Sequence, residues 1–225
     1  MKILAVDTSG MSGSVALSDN NTLIAARPLT AEGRRHAQTL VSEAARLLTE
    51  VDTKPAGIDV VAVSIGPGSF TGLRVGCVFA KTFAWANDAS LVAVDTLQAF
   101  AVNSSISNGV IRVISDAQRR EVFCRDYSAA DRSPLTDLTI IPVADVGQTV
   151  GSDVMTVTGP GVRQFSELLP ETLCSYVQSP EAVLLAPDVA SLGAELAESG
   201  AVADIAALEP VYVRRSYAEE KRDQT

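Results

Sequence analysis

Two stretches near the start of the chain have residue types and spacings that could do chemistry. The first is Asp7-Thr8-Ser9-Gly10 followed by Gly13-Ser14, an acidic residue and hydroxyls around a short glycine-bearing turn. Hydroxyls and free N–H groups on a tight loop suit nucleotide phosphates, and a carboxylate beside them can help to hold a metal. The same residues also make an ordinary polar hairpin. The second stretch is Gly66-Pro67-Gly68-Ser69-Phe70-Thr71-Gly72-Leu73-Arg74, between an apolar run and a helical pattern. A strand-to-helix junction aims N–H groups at an anion. The stretch nevertheless lacks GxxxxGK[ST], and Pro67 stands where a GxSxG elbow around Ser69 would need glycine. Read plainly, it is a sharp turn with Thr71 as the helix N-cap.

His36 is the one histidine, and Leu40 at i+4 removes the two-histidine pair of helical metal sites. Cys77, Cys124 and Cys174 are far apart with no CxxC, which suits reduced thiols in a cytosolic protein. No nucleophile signature supports His36 as the base of a Ser–His–Asp arrangement. These residues lead to an expectation of no catalytic residue and no bound metal. The tail Val211-Tyr212-Val213-Arg214-Arg215-Ser216-Tyr217-Ala218-Glu219-Glu220-Lys221 concentrates positive charge. It reads as a docking segment for an acidic surface or as a solvated terminal helix.

The elements that must position these residues follow from the hydrophobic pattern. Apolar runs at 2–7, 14–18 and 22–27 lie too close together for intervening helices, so they form an antiparallel meander. Apolar residues from Ala37 to Val51 recur at helical spacing, and Ile58 to Ile65 is a continuous apolar strand of the kind covered on both faces. A helix follows from about Thr71 to Asn87, then a strand at Leu91 to Val94 and a helix at Thr96 to Asn103. Further strands fall at Val110 to Ile114, Glu121 to Tyr127, Leu138 to Val143 and Val154 to Thr158, with a late helix near Asp188 to Glu198. Meander, helix, strand, helix is the order of a ribonuclease-H-like lobe, and two in tandem make the actin/Hsp70-like α/β fold. The polar run at 103–109 divides the chain into lobes at 1–105 and 106–210, with the tail 211–225 packing back on the first.

Gly72, Gly76, Ala80 and Ala84 recur every fourth residue along one helix face. Mid-helix glycine costs about 1 kcal/mol relative to alanine, so Gly76 calls for a close neighbour. That neighbour is either internal or part of another subunit. The net charge of −9, from 18 Lys+Arg against 27 Asp+Glu, disfavours a protein that clasps a phosphate backbone by itself. No apolar run approaches the length of a membrane span.

ILAVDTS…GSVAL, the His36-centred helix, VAVSIGPGSFTGLRVG at 61–76, DAQRREVF at 116–123 and PVYVRRSYAEEK near the end resemble, in order, the bacterial TsaB (YeaZ) family. The resemblance implies a two-lobed actin/Hsp70-like fold and a non-catalytic subunit. Its implied partner is the paralogue TsaD, which transfers a threonylcarbamoyl group to adenosine 37 of ANN-decoding tRNAs. It also implies the ATPase TsaE as a partner, a homodimer when alone, tRNA contacted indirectly if at all, and weak ATP or ADP binding at most. Under it, Asp7, Thr8, Ser9 and Ser14 become a vestigial nucleotide turn. Gly72, Gly76, Ala80, Ala84, His36 and Leu40 become an intersubunit contact. The rival expectations are an active ATPase or phosphotransferase on the same fold, and a glycoprotease-like hydrolase.

Overall fold

The computed structural model describes residues 1–29, 36–147, 154–169 and 185–213. Strands β1 (Lys2–Asp7), β2 (Ser14–Asp19) and β3 (Thr22–Pro28) form the meander, followed by α1 (His36–Glu50), β4 (Val60–Gly66), α2 (Phe70–Ala86) and β5 (Ser90–Asp95). They make one five-stranded sheet in the order β3-β2-β1-β4-β5. β1 pairs antiparallel with β2 and parallel with β4, which pairs parallel with β5. β1 and β4 are nearly all apolar because both faces are covered. Leu4, Val6, Val61 and Val63 meet α1 and α2 on one side, and Ile3, Ala5, Val60 and Ala62 face the other.

After α3 (Thr96–Val102) the pattern repeats in smaller form. β6 (Val110–Asp116), β7 (Glu121–Ser128), β8 (Thr139–Pro142) and β9 (Val154–Thr158) make a second sheet, β8-β7-β6-β9, with β6 parallel to β9 and the other pairs antiparallel. α4 (Pro160–Gln164), which the sequence pattern does not signal, covers part of it. Two α/β units built on one plan in tandem are the actin/Hsp70-like architecture expected from the element order.

The expected second lobe, 106–210, is corrected by the last helix. α5 (Ala186–Glu198) leaves the second unit and packs on the first sheet, where Val189, Ala190, Leu192 and Ala194 join Ile3, Ala5, Ala62 and Val92. Ala203, Ile205 and Leu208 then pack against the cluster beneath α1 and α2. The first sheet has two apolar faces to cover, and its own α1 and α2 cover only one. Beyond Val213 the tail lies outside the described residues.

Two features join the units. Leu97 and Ala101 of α3 are buried among Ile111, Val113, Phe123 and Tyr127 of the second sheet, while Ala99 of the same helix belongs to the first core. Asp95, the α3 N-cap, accepts at Oδ1 from the N–H groups of Leu97 (2.8 Å) and Gln98 (3.1 Å). Its carboxylate also accepts from Arg125 Nη1 (2.8 Å) and from the hydroxyl of Tyr127 (3.3 Å), both on β7. Burial, and then the charge of Asp95, push the Tyr127 phenol upward.

Asp188, in the first turn of α5, accepts from Asn103 Nδ2 at 3.3 Å, and burial pushes its carboxyl up to about 6. In the unfolded chain an aspartate titrates near pH 4. The folded form therefore holds this proton longer, and its stability falls as pH rises from about 4 to about 6, then stays lower. Asp188→Asn should remove that penalty: a gain of about 1–2 kcal/mol at pH 7, seen as a Tm higher by several degrees, and none below about pH 4. Thermal unfolding of both proteins across that range checks it.

Candidate functional site

The β1–β2 turn meets the N-terminus of α2, and its polar groups point inward. Asp7, Thr8, Ser9 and Ser14 expose 2%, 0%, 6% and 0% of their surface. Asp7 Oδ1 accepts three hydrogen bonds: from Ser9 N (3.0 Å), Ser9 Oγ (2.7 Å) and Ser64 Oγ (2.7 Å). The Thr8 hydroxyl donates to the Gly72 carbonyl at 2.7 Å. Ser14 Oγ accepts from the Ala186 N–H at 2.9 Å, fastening the start of α5. The Ser69 N–H donates to the Ser9 carbonyl at 2.6 Å.

The glycines of the second stretch make room for this turn. A Cβ on Gly68 would lie 2.5 Å from the Ser9 carbonyl oxygen, one on Gly72 2.0 Å from that of Thr8, and one on Gly76 2.4 Å from Thr8 Oγ1. The neighbour that the small-residue stripe demands is thus the chain's own β1–β2 turn. Gly72, Gly76, Ala80 and Ala84 are all buried within the protein, the two alanines in the core cluster beneath α2. Their expected place in an intersubunit contact is corrected, and so is that of Leu40, which is buried in the same cluster. His36 opens α1, and its side chain lies outside the described residues.

Ser69, not Thr71, is the N-cap of α2. Its Oγ accepts from the Gly72 N–H at 3.3 Å, and Thr71 sits exposed inside the first turn. The helix begins early because Ser69 is anchored on Ser9. Gly66 donates its N–H to Thr96 Oγ1 at 3.0 Å, so the loop is also tied to the start of α3. Pro67 follows Gly66 across a cis peptide bond. Phe70 stacks 4.9 Å from Tyr212, and the Arg74 guanidinium lies 3.9 Å over the Phe70 ring while its Nε donates to the Tyr212 hydroxyl at 2.9 Å. Val211 donates to the Ile65 carbonyl at 2.8 Å, and Lys81 Nζ donates to the carbonyls of Ala206 and Leu208. The two cations of α2 thereby strap residues 206–212 beside it.

A nucleotide with its metal would need these hydroxyls and this carboxylate to face outward. They are turned in and bonded, so the residues do not fit such a site. At the other hairpin, the Asp116 carboxylate accepts from Gln118 N (2.6 Å) and Gln164 Nε2 (2.8 Å). Among the described residues no three His, Cys, Asp or Glu side chains gather as metal ligands. Burial pushes the thiols of Cys77 and Cys124 up to about 11, which keeps them protonated and unreactive at neutral pH.

What α2 leaves open is its other face. Arg74, Val78, Thr82 and Trp85 follow one another at helical spacing and are exposed, Val78 by 64% and Trp85 by 75%; on α1, Val41 is 66% exposed. The sequence reading named Arg74 but missed Val78, Thr82, Trp85 and Val41, although a signal was present. Only Arg74 and Lys81 carry charge in the 17 residues of α2, so the helix is apolar all round, more than one buried face requires. Lone exposed apolar residues are ordinary, but two on one helix face beside Phe70 form a patch.

Fold and site together define a protein of the actin/Hsp70-like class whose β1–β2 turn is part of the packing. YeaZ from Pseudomonas aeruginosa superimposes with a TM-score of 0.79 over 94% of this chain and 99% of that one, at 23% identity. The ethanolamine utilization protein EutJ from Carboxydothermus hydrogenoformans shares the fold more distantly (TM-score 0.53, 14% identity, 86% and 90% coverage). The family model described as TsaD, tRNA N6-adenosine threonylcarbamoyltransferase, matches residues 27–207. The chain is 30% identical to the tRNA threonylcarbamoyladenosine biosynthesis protein TsaB of Escherichia coli (strain K12) over 98% of each. It is 37% identical to TsaB of Bacillus subtilis (strain 168) over 56% of this chain and 55% of that protein. The chain belongs to the TsaB family of tRNA threonylcarbamoyladenosine biosynthesis proteins. Among the described residues no helix is long and apolar enough to cross a membrane.

Gly72→Ala tests the notch. Helix propensity alone would favour alanine by about 1 kcal/mol. The clash with the Thr8 carbonyl should instead cost about 2–4 kcal/mol, because backbone must move. Urea denaturation of the isolated protein measures the sign.

Proposed function

We propose that this chain is the non-catalytic partner of the TsaD transferase in forming N6-threonylcarbamoyladenosine at position 37 of ANN-decoding tRNAs, and that it docks through the outward face of α2. The observation that carries this reading is the division of that helix. Its small-residue face is consumed by the β1–β2 turn, and Val78 and Trp85 stand exposed on the other face. A large aromatic side chain held on a rigid helix is the kind of residue that dominates interface energies. Val41 of α1 extends the contact, the same surface serves a homodimer when the transferase is absent, and TsaE joins the assembled complex. ATPase, phosphotransferase and hydrolase readings each need an outward carboxylate, a metal or a nucleophile, and the inward bonding of Asp7, Thr8 and Ser9 supports none of them.

Reconstitution tests the proposal. TsaD should modify tRNA with this chain present and lose activity without it, while this chain alone transfers nothing. Val78→Arg and Trp85→Ala should each weaken association with TsaD by at least tenfold, the loss of about 1.4 kcal/mol or more, with Tm unchanged because neither side chain is in a core. Variants that associate and activate like the wild type would overturn the docking face, and transfer by this chain alone would overturn the non-catalytic role.

A further inference from the structure

Phe70, Arg74, Val78 and Thr82 fall four residues apart along one line of α2, with Trp85 three further on. The line changes character toward the start of the helix, where Arg74 is held in place. Its guanidinium lies 3.9 Å from the centre of the Phe70 ring and 5.7 Å from that of Tyr212, and its Nε donates to the Tyr212 hydroxyl at 2.9 Å. The two rings are 4.9 Å apart and remain 38% and 42% exposed. The bond from Val211 N to the Ile65 carbonyl keeps Tyr212 beside the helix.

Other arginines of this acidic chain meet acids of their own. Arg27 pairs with Glu43 and Glu50, Arg46 with Glu43, Arg112 with Asp126 and Arg125 with Asp95. Arg74 pairs with no acid among the described residues, and its one hydrogen bond there is the bond from Nε. The rings and that bond account for where the guanidinium sits. They leave its two terminal nitrogens, side by side on an exposed residue, without an acceptor. That pair matches the two oxygens of a carboxylate. A surface arginine gives up rotamer freedom when it binds, and here the stack has already removed it.

We propose that Arg74 is the polar anchor of the docking face, receiving a carboxylate side chain of the transferase partner whose apolar surface covers Val78 and Trp85. This rests on the reading of the outward face of α2 as the docking surface. The flanks of the cation favour a protein carboxylate over a phosphate. Phe70 and Tyr212 on one side, and Val78 and Trp85 on the other, are surfaces that side chains cover and a phosphate backbone does not. Lys81, the other cation of α2, is bonded to two strap carbonyls, so the helix lacks the row of cations that a phosphate backbone draws on. A fork that demands a carboxylate also fixes the register in which an otherwise apolar helix face is met.

The test measures association of the full chain with TsaD, without tRNA, over a range of salt concentrations. Arg74→Gln should bind about tenfold more weakly near 0.1 M salt and lose most of the salt dependence. Arg74→Lys should recover the salt dependence but only part of the affinity, because an ammonium neither forks nor stacks as a guanidinium does. Tyr212→Phe, which keeps the ring and removes the hydroxyl that holds Nε, should weaken binding a few-fold with the salt dependence retained. If Arg74→Gln associates like the wild type while Val78→Arg does not, this inference fails and the docking face stands. Equal losses in Arg74→Gln and Arg74→Lys with unchanged salt dependence would overturn it by reducing Arg74 to a support for the strap. Intact TsaD association with weakened tRNA binding by the assembled complex would overturn it by assigning the fork to a phosphate. If Val78→Arg and Trp85→Ala also associate like the wild type, the docking face falls and this inference with it.

Discussion

The backbone of Thr8 and Ser9 lies against α2 at distances that only glycine permits, and the rest of the molecule is arranged around that contact. Gly68, Gly72 and Gly76 form the notch, and each missing Cβ would fall within 2.5 Å of an oxygen of Thr8 or Ser9. The approach lets the Thr8 hydroxyl reach the Gly72 carbonyl and Ser69 bond to Ser9, which sets where the helix begins. Ser14, at the far end of the turn, bonds the start of α5 and so fixes the helix on the opposite sheet face. One turn thus sets the position of helices on both sides of the first sheet. The hydroxyls of Thr8, Ser9 and Ser14 are all bonded within the protein in doing so.

That commitment divides α2 into a buried face and an exposed one. The buried face holds the helix to β1 and β4, and the exposed face offers Val78 and Trp85 on a support that cannot easily shift. Arg74 and Lys81, the helix's two cations, both bond to the strap at 206–212, so the middle of the open face has little charge of its own. A rigid apolar helix face loses little side-chain and backbone freedom on association, which favours tight pairing. The second unit is coupled to the same platform. Asp95 receives Arg125 and Tyr127 from β7, Thr96 receives the Gly66 N–H, and α3 lends side chains to both cores.

Much of this fold was legible in the sequence because it depends on local periodicity. The meander, the continuous apolar run at 58–65 and the small-residue stripe of α2 each announce themselves in a short window. The stripe also correctly required a close neighbour, but spacing cannot name one, and Thr8 lies 64 positions upstream of Gly72. The return of α5 to the first sheet was illegible for a related reason: an amphipathic pattern shows that a helix buries a face, not which sheet receives it. Ser69 displaced Thr71 as the cap because of its bond to Ser9, again a contact distant in sequence. The exposed face of α2 was hidden because Val78 and Trp85 read as core by type. The Asp7–Ser14 hydroxyls were read by type as well, and only the direction of each side chain separates a phosphate site from a clamp.

Amide hydrogen exchange of the protein, with and without millimolar Mg-ATP, tests most directly whether the β1–β2 turn is a clamp. The account predicts slow exchange at Ser9, Ser69 and Gly72, whose N–H groups are bonded inside the notch, and no change in residues 7–14 when nucleotide is added. Rapid exchange at those amides in the free protein, or protection of residues 7–14 that appears with Mg-ATP, would contradict it.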